Sequence, residues 1–190
     1  MGLIKKASRR ILARRYEDAA EAGDADALLF LATVRASDDP AASRDLFRRA
    51  AEGGNVHGMY IHGLVLEPRD PQAAREWLER AADGGHVDAM IKLGVTDQAT
   101  DPAAARRRYE EAAERGSALA MFNLGLMLEP TDEDSAINWY GKAAAAGDPD
   151  AMVNLARLAE DTDPDDARML LERAAAAGHP EAVKRLAGAE

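Results

Sequence analysis

Ala112-Ala113-Glu114-Arg115-Gly116, with Ala120-Met121 just after it, is the clearest copy of a pattern that the chain writes six times. Two alanines, two variable residues, a glycine and then a small residue recur with their glycines at Gly23, Gly54, Gly85, Gly116, Gly147 and Gly178, each 31 residues from the last. A constant period of this length marks a stack of small supersecondary units, each of which needs its neighbours to bury its apolar side.

Aligning the copies on that period gives columns with physical meanings. The glycine column suits a residue just past a helix end, where the left-handed conformation carries no Cβ penalty for glycine. The next column is Asp24, Asn55, His86, Ser117, Asp148 and His179. Four of these are strong N-caps, whose side chains accept from the free amides of a new helix. Pro149 and Pro180 follow at the first helical position, where proline is tolerated. One helix therefore stops at the glycine and another starts at once.

A second start signal is the column Asp39, Asp70, Asp101, Asp132 and Asp163, followed in four copies by Pro40, Pro71, Pro102 and Pro164. Just upstream, Pro68 and Pro130 discourage the preceding helix from running on. Each copy reads as a helix A (119–128, for instance), a short turn and a helix B (133–146), with roughly ten to thirteen residues per helix.

Packing columns complete the unit. Alanine pairs run from Ala19-Ala20 to Ala174-Ala175, and Ala27, Gly58, Ala89, Ala120, Ala151 and Ala182 form a second small column. A large column stands between them: Tyr16, Phe47, Leu78, Tyr109, Tyr140 and Leu171. On helix A, Met121, Leu124, Gly125 and Leu128 make one stripe to be buried. Large side chains of one helix over small sites of the next bury what a lone pair cannot. The expected fold class is all-α, a solenoid of antiparallel helix pairs spanning 1–190. It has an N-terminal capping helix in 1–23, repeats near 24–54, 55–85, 86–116, 117–147 and 148–178, and a C-terminal capping helix in 179–190. Lys184 and Arg185 give that last helix the polar outer face a cap needs.

Composition narrows the function. The chain has no cysteine, which removes disulfides, thiolate metal sites and a cysteine nucleophile. It has no secretory-type apolar core near its start and no run long enough to span a membrane, and Lys6 stands where a myristoylation motif wants Ser or Thr. These features read as a soluble cytoplasmic protein. Net charge is −10, yet Lys5, Lys6, Arg9, Arg10, Arg14 and Arg15 crowd the first sixteen residues with no acid among them. So acidic a body argues against a nucleic-acid backbone as the main partner.

With the columns in place, Leu124-Gly125, Asp132, Ala136, Trp139-Tyr140, Ala143-Ala144, Gly147 and Ala151 resemble the Sel-one-like repeat, a relative of the tetratricopeptide repeat. Trp77 keeps the aromatic place two copies earlier. The resemblance covers nearly the whole chain and departs at one point: the Gly-x-Gly-Val loop usual between helices A and B is missing from every copy. It implies a right-handed superhelix whose A helices line the concave face. It also implies an adaptor or scaffold role toward other proteins, and it supplies no catalytic residues.

The candidate binding stripe lies on the A helices outside the buried stripe. Its positions are His57, Tyr60 and Leu64; Asp88, Ile91 and Val95; Leu119, Phe122 and Leu126; then Asp150, Val153 and Arg157. Tyr60, Leu64, Ile91, Val95, Phe122 and Leu126 are expected to line a groove for a protein or peptide; the alternative is that they pack against neighbouring A helices. The basic head, through Lys5, Lys6, Arg9 and Arg10, is a candidate contact for an anionic membrane or an acidic partner, which would make the chain a peripheral membrane adaptor; the alternative is a solvated cap. His57 and His62, five apart, share no helical face and have no acid or cysteine to complete a zinc set, so no metal or cofactor is expected. Serines are scattered, and the acidic clusters 132–134 and 163–166 lack the glycine and spacing of a calcium loop. They read as caps and solvated surface, and no enzyme activity is expected.

Overall fold

The computed structural model describes residues 16–188, and every described element is helical. The chain divides into two compact units between Leu93 and Gly94. The first holds the helical residues 16–21, α1 (Ala25–Arg35), α2 (Pro40–Glu52), α3 (Val56–Leu66), α4 (Pro71–Asp83) and most of α5 (Val87–Asp97). The second holds the end of α5, then α6 (Pro102–Glu114), α7 (Ala118–Leu128), α8 (Glu133–Ala145), α9 (Pro149–Ala159), α10 (Pro164–Ala176) and α11 (Pro180–Ala187). Odd-numbered helices are the A helices and even-numbered ones the B helices of antiparallel pairs. The complete A helices have 11 residues and the B helices 13.

The caps act as their chemistry requires. Asp39, Asp70, Asp101, Asp132 and Asp163 each accept from the amide three residues on, at 2.9–3.1 Å. Asp24, Asn55, Ser117 and Asp148 do the same for the A helices. His86 and His179 also cap, accepting at Nδ1 from Ala89 and Ala182 at 3.3 Å. At the other end, all six column glycines have φ between 85° and 94°. The residue after each returns its amide to the first alanine of the pair: Asn55 to Ala50 and Asp148 to Ala143, for example. Those bonds satisfy the last free carbonyls of helix B.

The large and small columns meet inside each pair. A Cβ placed on Gly63 would lie 2.9 Å from Leu78 Cγ, one on Gly94 2.6 Å from the Tyr109 ring, and one on Gly125 would run into the Tyr140 ring. The Leu78 side chain at Gly63, and the tyrosine rings at Gly94 and Gly125, fill the space a methyl group would need. Where that column carries alanine, at Ala32 and Ala156, the facing residues are Phe47 and Leu171. In the second unit Ala136, Tyr140, Ala143, Ala151, Ala156 and Leu171 belong to one buried cluster, with Trp139 and Phe122 packed against it. In the first, Ala27, Leu28, Leu31, Leu46 and Ala50 form the corresponding cluster, with Phe47 half-buried beside it.

Candidate protein-binding faces

The A-helix stripe is held in place by side chains that reach from one repeat to the next. In the second unit Glu129, just past α7, accepts from the Tyr140 hydroxyl at 2.7 Å and from Arg157 of the following A helix. Burial first, and then the Glu129 carboxylate, push the Tyr140 phenol well above its ordinary range, so it stays a donor. Arg185 repeats the reach to Glu160 at 2.8 Å, and in the first unit Lys92 reaches Glu67 at 2.7 Å. Basic residues on one A helix thus grip the acidic end of the A helix before it. B helices are tied as well: Arg49 donates to the Ala20 carbonyl and Arg173 to that of Ala144, both at 3.2 Å.

A second series of contacts runs between the starts of successive A helices. Asn55 donates to Asp26 at 2.6 Å, His57 Nδ1 lies 2.9 Å from His86 Nε2, and His179 Nε2 lies 2.9 Å from Asp150. The Tyr60 ring stacks on His86 with centroids 4.3 Å apart. His86 is held in a less readily protonated state by burial and then by the neighbouring His57. The helical spacing of 57 and 62 made the two residues look unrelated, and they are: His57 pairs across the repeat boundary, while His62 is buried against the edge of Trp77 with Nδ1 unpartnered. Among the described residues, no group of three or more His, Cys, Asp and Glu side chains is placed to hold a metal ion.

The groove candidates differ in what they offer. In the first unit Tyr60 and Leu64 are half-buried, and Ile91 keeps only 8% exposure, so it offers little surface to a partner. In the second unit Val95 is 56%, Leu119 50% and Leu126 42% exposed, while Phe122 is half-buried with its ring 5.8 Å from that of Tyr140. Lys5, Lys6, Arg9 and Arg10 lie outside the described residues. No helix among the described residues is long and apolar enough to cross a membrane.

The sequence reading did not find the gripping positions Glu67, Glu129 and Glu160. Their signal was available as acids that recur just past the A helices, with Lys92, Arg157 and Arg185 one repeat on.

A model of the Sel1 repeat matches residues 25–55, 58–86, 87–117, 118–148 and 149–179, five consecutive copies. The chain belongs to the Sel1 repeat family. No curated protein matches it. Among solved structures, this Sel1 repeat chain is similar to a protective antigen of uropathogenic Escherichia coli strains, described as displaying an SLR fold. There the identity is 28% and the TM-score 0.76, over 86% of this chain and 40% of that protein. It is also similar to a Sel1 repeat protein from Oxalobacter formigenes, with 25% identity and a TM-score of 0.72 over 86% of this chain and 76% of the other. An immunity protein from Pseudomonas aeruginosa shares the fold at 20% identity and a TM-score of 0.53, over 83% of this chain and 66% of that one. The fold is that of the Sel1 solenoids, and Sel1 repeat proteins generally mediate protein–protein interactions.

Proposed function

We propose that this Sel1 repeat chain is a non-catalytic scaffold that holds a protein or peptide on the exposed side of its A helices. The observation that carries the reading is on α7: Leu119, Phe122 and Leu126 fall at i, i+3 and i+7, and the outer two are 50% and 42% exposed. A stripe at that spacing on one helix face is what an extended or helical apolar segment covers. Val95 adds a further exposed apolar side chain in the same unit, and Tyr60 and Leu64 are the candidate contacts of the first unit. The polar grips at Glu129–Arg157 and Glu67–Lys92 keep the A helices in register, so the stripe is formed before a partner arrives.

Panning a displayed peptide library on the full chain supplies a probe. Leu119→Ser and Leu126→Ser together should weaken the selected peptides by at least about tenfold, since each leucine contributes about 1.5 kcal/mol or more when covered. The thermal melt should hardly move, because both side chains already face water. Peptides that bind the double variant as well as the parent would place the partner elsewhere.

A further inference from the structure

Three of the four histidines, His57, His62 and His86, stand in the first unit. Two of them meet across a repeat boundary, and the hydrogen bonds around them fix where each proton sits. His86 Nδ1 accepts from the Ala89 amide at 3.3 Å, so that nitrogen is bare and the ring hydrogen is on Nε2. The Nε2–H donates to His57 Nδ1 at 2.9 Å, which is therefore bare as well. The hydrogen of the His57 ring is left on its Nε2.

The line runs one way, from the α5 amide to His86 and from His86 to His57. It has no place for another proton. On His86 Nδ1 the added proton would face the Ala89 N–H, and on His57 Nδ1 it would face the His86 N–H. Either way two donors meet head-on where a hydrogen bond stood.

Other repeats fill this contact differently. Asn55 donates to Asp26 at 2.6 Å, and His179 Nε2 lies 2.9 Å from Asp150. A carboxylate keeps such a bond whether or not the donor ring is charged. His57 stands in the column of Asp26 and Asp150 and puts there a base whose acceptor nitrogen disappears on protonation.

We propose that His57 and His86 form a proton-operated latch between the starts of α3 and α5, closed while both rings are neutral and open once either takes a second proton. The charges around it come from several elements. Asp88 of α5 acts on His86 directly and, with Lys92 and Glu67, on Tyr60. Asp26 at the start of α1 is held by Asn55, and Asp83 ends α4. Burial first, and then His57, keep His86 from protonation against the pull of Asp88, below the ordinary 6.5. The latch is therefore complete above about pH 6.5 and is lost as pH falls from there through the lower folded value. Tyr60 stacks on His86 at 4.3 Å and stands 6.2 Å from His57, so the latch sits at the edge of the first unit's proposed contacts. That consequence rests on the scaffold reading, whereas the latch needs no partner and is tested without one.

Nuclear magnetic resonance of the full chain, labelled on its histidine ring nitrogens, reads the latch directly. At pH 7.5 His86 should show a bare Nδ1 and a protonated Nε2, with cross-relaxation between the two rings. At pH 5 that cross-relaxation should be lost, and the helical circular dichroism should stay. His57→Asp copies Asp150, so residue 57 should keep its contact with His86 at pH 5, and the His86 titration should move upward by about one pH unit. The same comparison on a His62→Leu background removes the buried ring of this unit as a cause and should give the same result. A protonated His86 Nδ1 at pH 7.5 would overturn the proposal. So would a ring contact that survives at pH 5 in the parent, or one lost there equally from His57→Asp. Loss of the contact together with the helical signal would also overturn it, since the whole unit would then be melting.

Discussion

Asp97 and Arg108 stand in the third repeat where Leu128 and Trp139 stand in the fourth. The fourth repeat solves the meeting of its two helices with grease: Leu128 is buried, and Trp139 packs on the same cluster under the Lys142 ammonium, 3.8 Å from the ring centre. The third solves it with charge: the Asp97 carboxylate is buried to 2% exposure and accepts from Arg108 Nε at 3.3 Å. The two solutions occupy one backbone geometry, so the geometry does not depend on the chemistry that fills it. What differs is the consequence of losing half. Truncating a tryptophan leaves a void, whereas removing one ion leaves the other without its compensation.

The largest expected effect follows from that asymmetry. Asp97→Leu alone should cost about 3 kcal/mol, because Arg108 keeps its charge beside an apolar neighbour. Asp97→Leu with Arg108→Trp copies the fourth repeat and should recover most of the loss. Urea unfolding followed by circular dichroism reads both. A double variant no more stable than the single one would mean that the third repeat has come to depend on its charges.

A second contrast concerns the fourth and fifth repeats. Gly125 lies under Tyr140, whereas Ala156 and Leu171 fill the same two places one repeat later. Gly125→Ala puts a methyl group into the tyrosine ring and should cost about 1–3 kcal/mol as an overpacked core, despite the better helix propensity of alanine. Tyr140→Leu on the same background copies the fifth repeat and should return part of that. The recovery should stay partial, since Tyr140 also donates to Glu129, which grips Arg157. Melting curves of the two variants and the parent decide it.

The helix pairs were legible because the signals are local and recur. Asp39-Pro40 and its copies start a helix through a bond to the amide three residues on, and Gly147 ends one through a left-handed φ of 94°. Those bonds need no knowledge of the rest of the chain. Much of the candidate binding face was not legible, because its geometry is set between repeats. Ile91 and Val95 look alike on a helical wheel, but one is buried and the other open. His86 reads as a weak N-cap until its ring is seen to use Nδ1 for the cap and Nε2 for His57. Asp97 and Arg108 lie eleven residues apart, and only their shared departure from the columns of neighbouring repeats marks them as partners.

His62 gives the smallest of these effects and the one with a pH signature. It occupies a column that is otherwise leucine, with Leu31, Leu93 and Leu124 all buried, and its own Nδ1 is buried without a partner. Burial, and then the Arg48 charge, lower its pKa below the ordinary 6.5. The unfolded chain therefore takes up a proton before the folded one does. Stability is complete above about pH 6.5, and it declines as pH falls from there through the lower folded value. His86, lowered in the same direction by burial and by His57, adds to the same decline. His62→Leu should raise stability by about 1–2 kcal/mol at neutral pH by removing an unsatisfied buried group. It should also flatten, without abolishing, the loss between pH 7 and 5, since His86 remains. Denaturation midpoints for parent and variant across that range would show parallel curves if His62 were instead free to reach solvent.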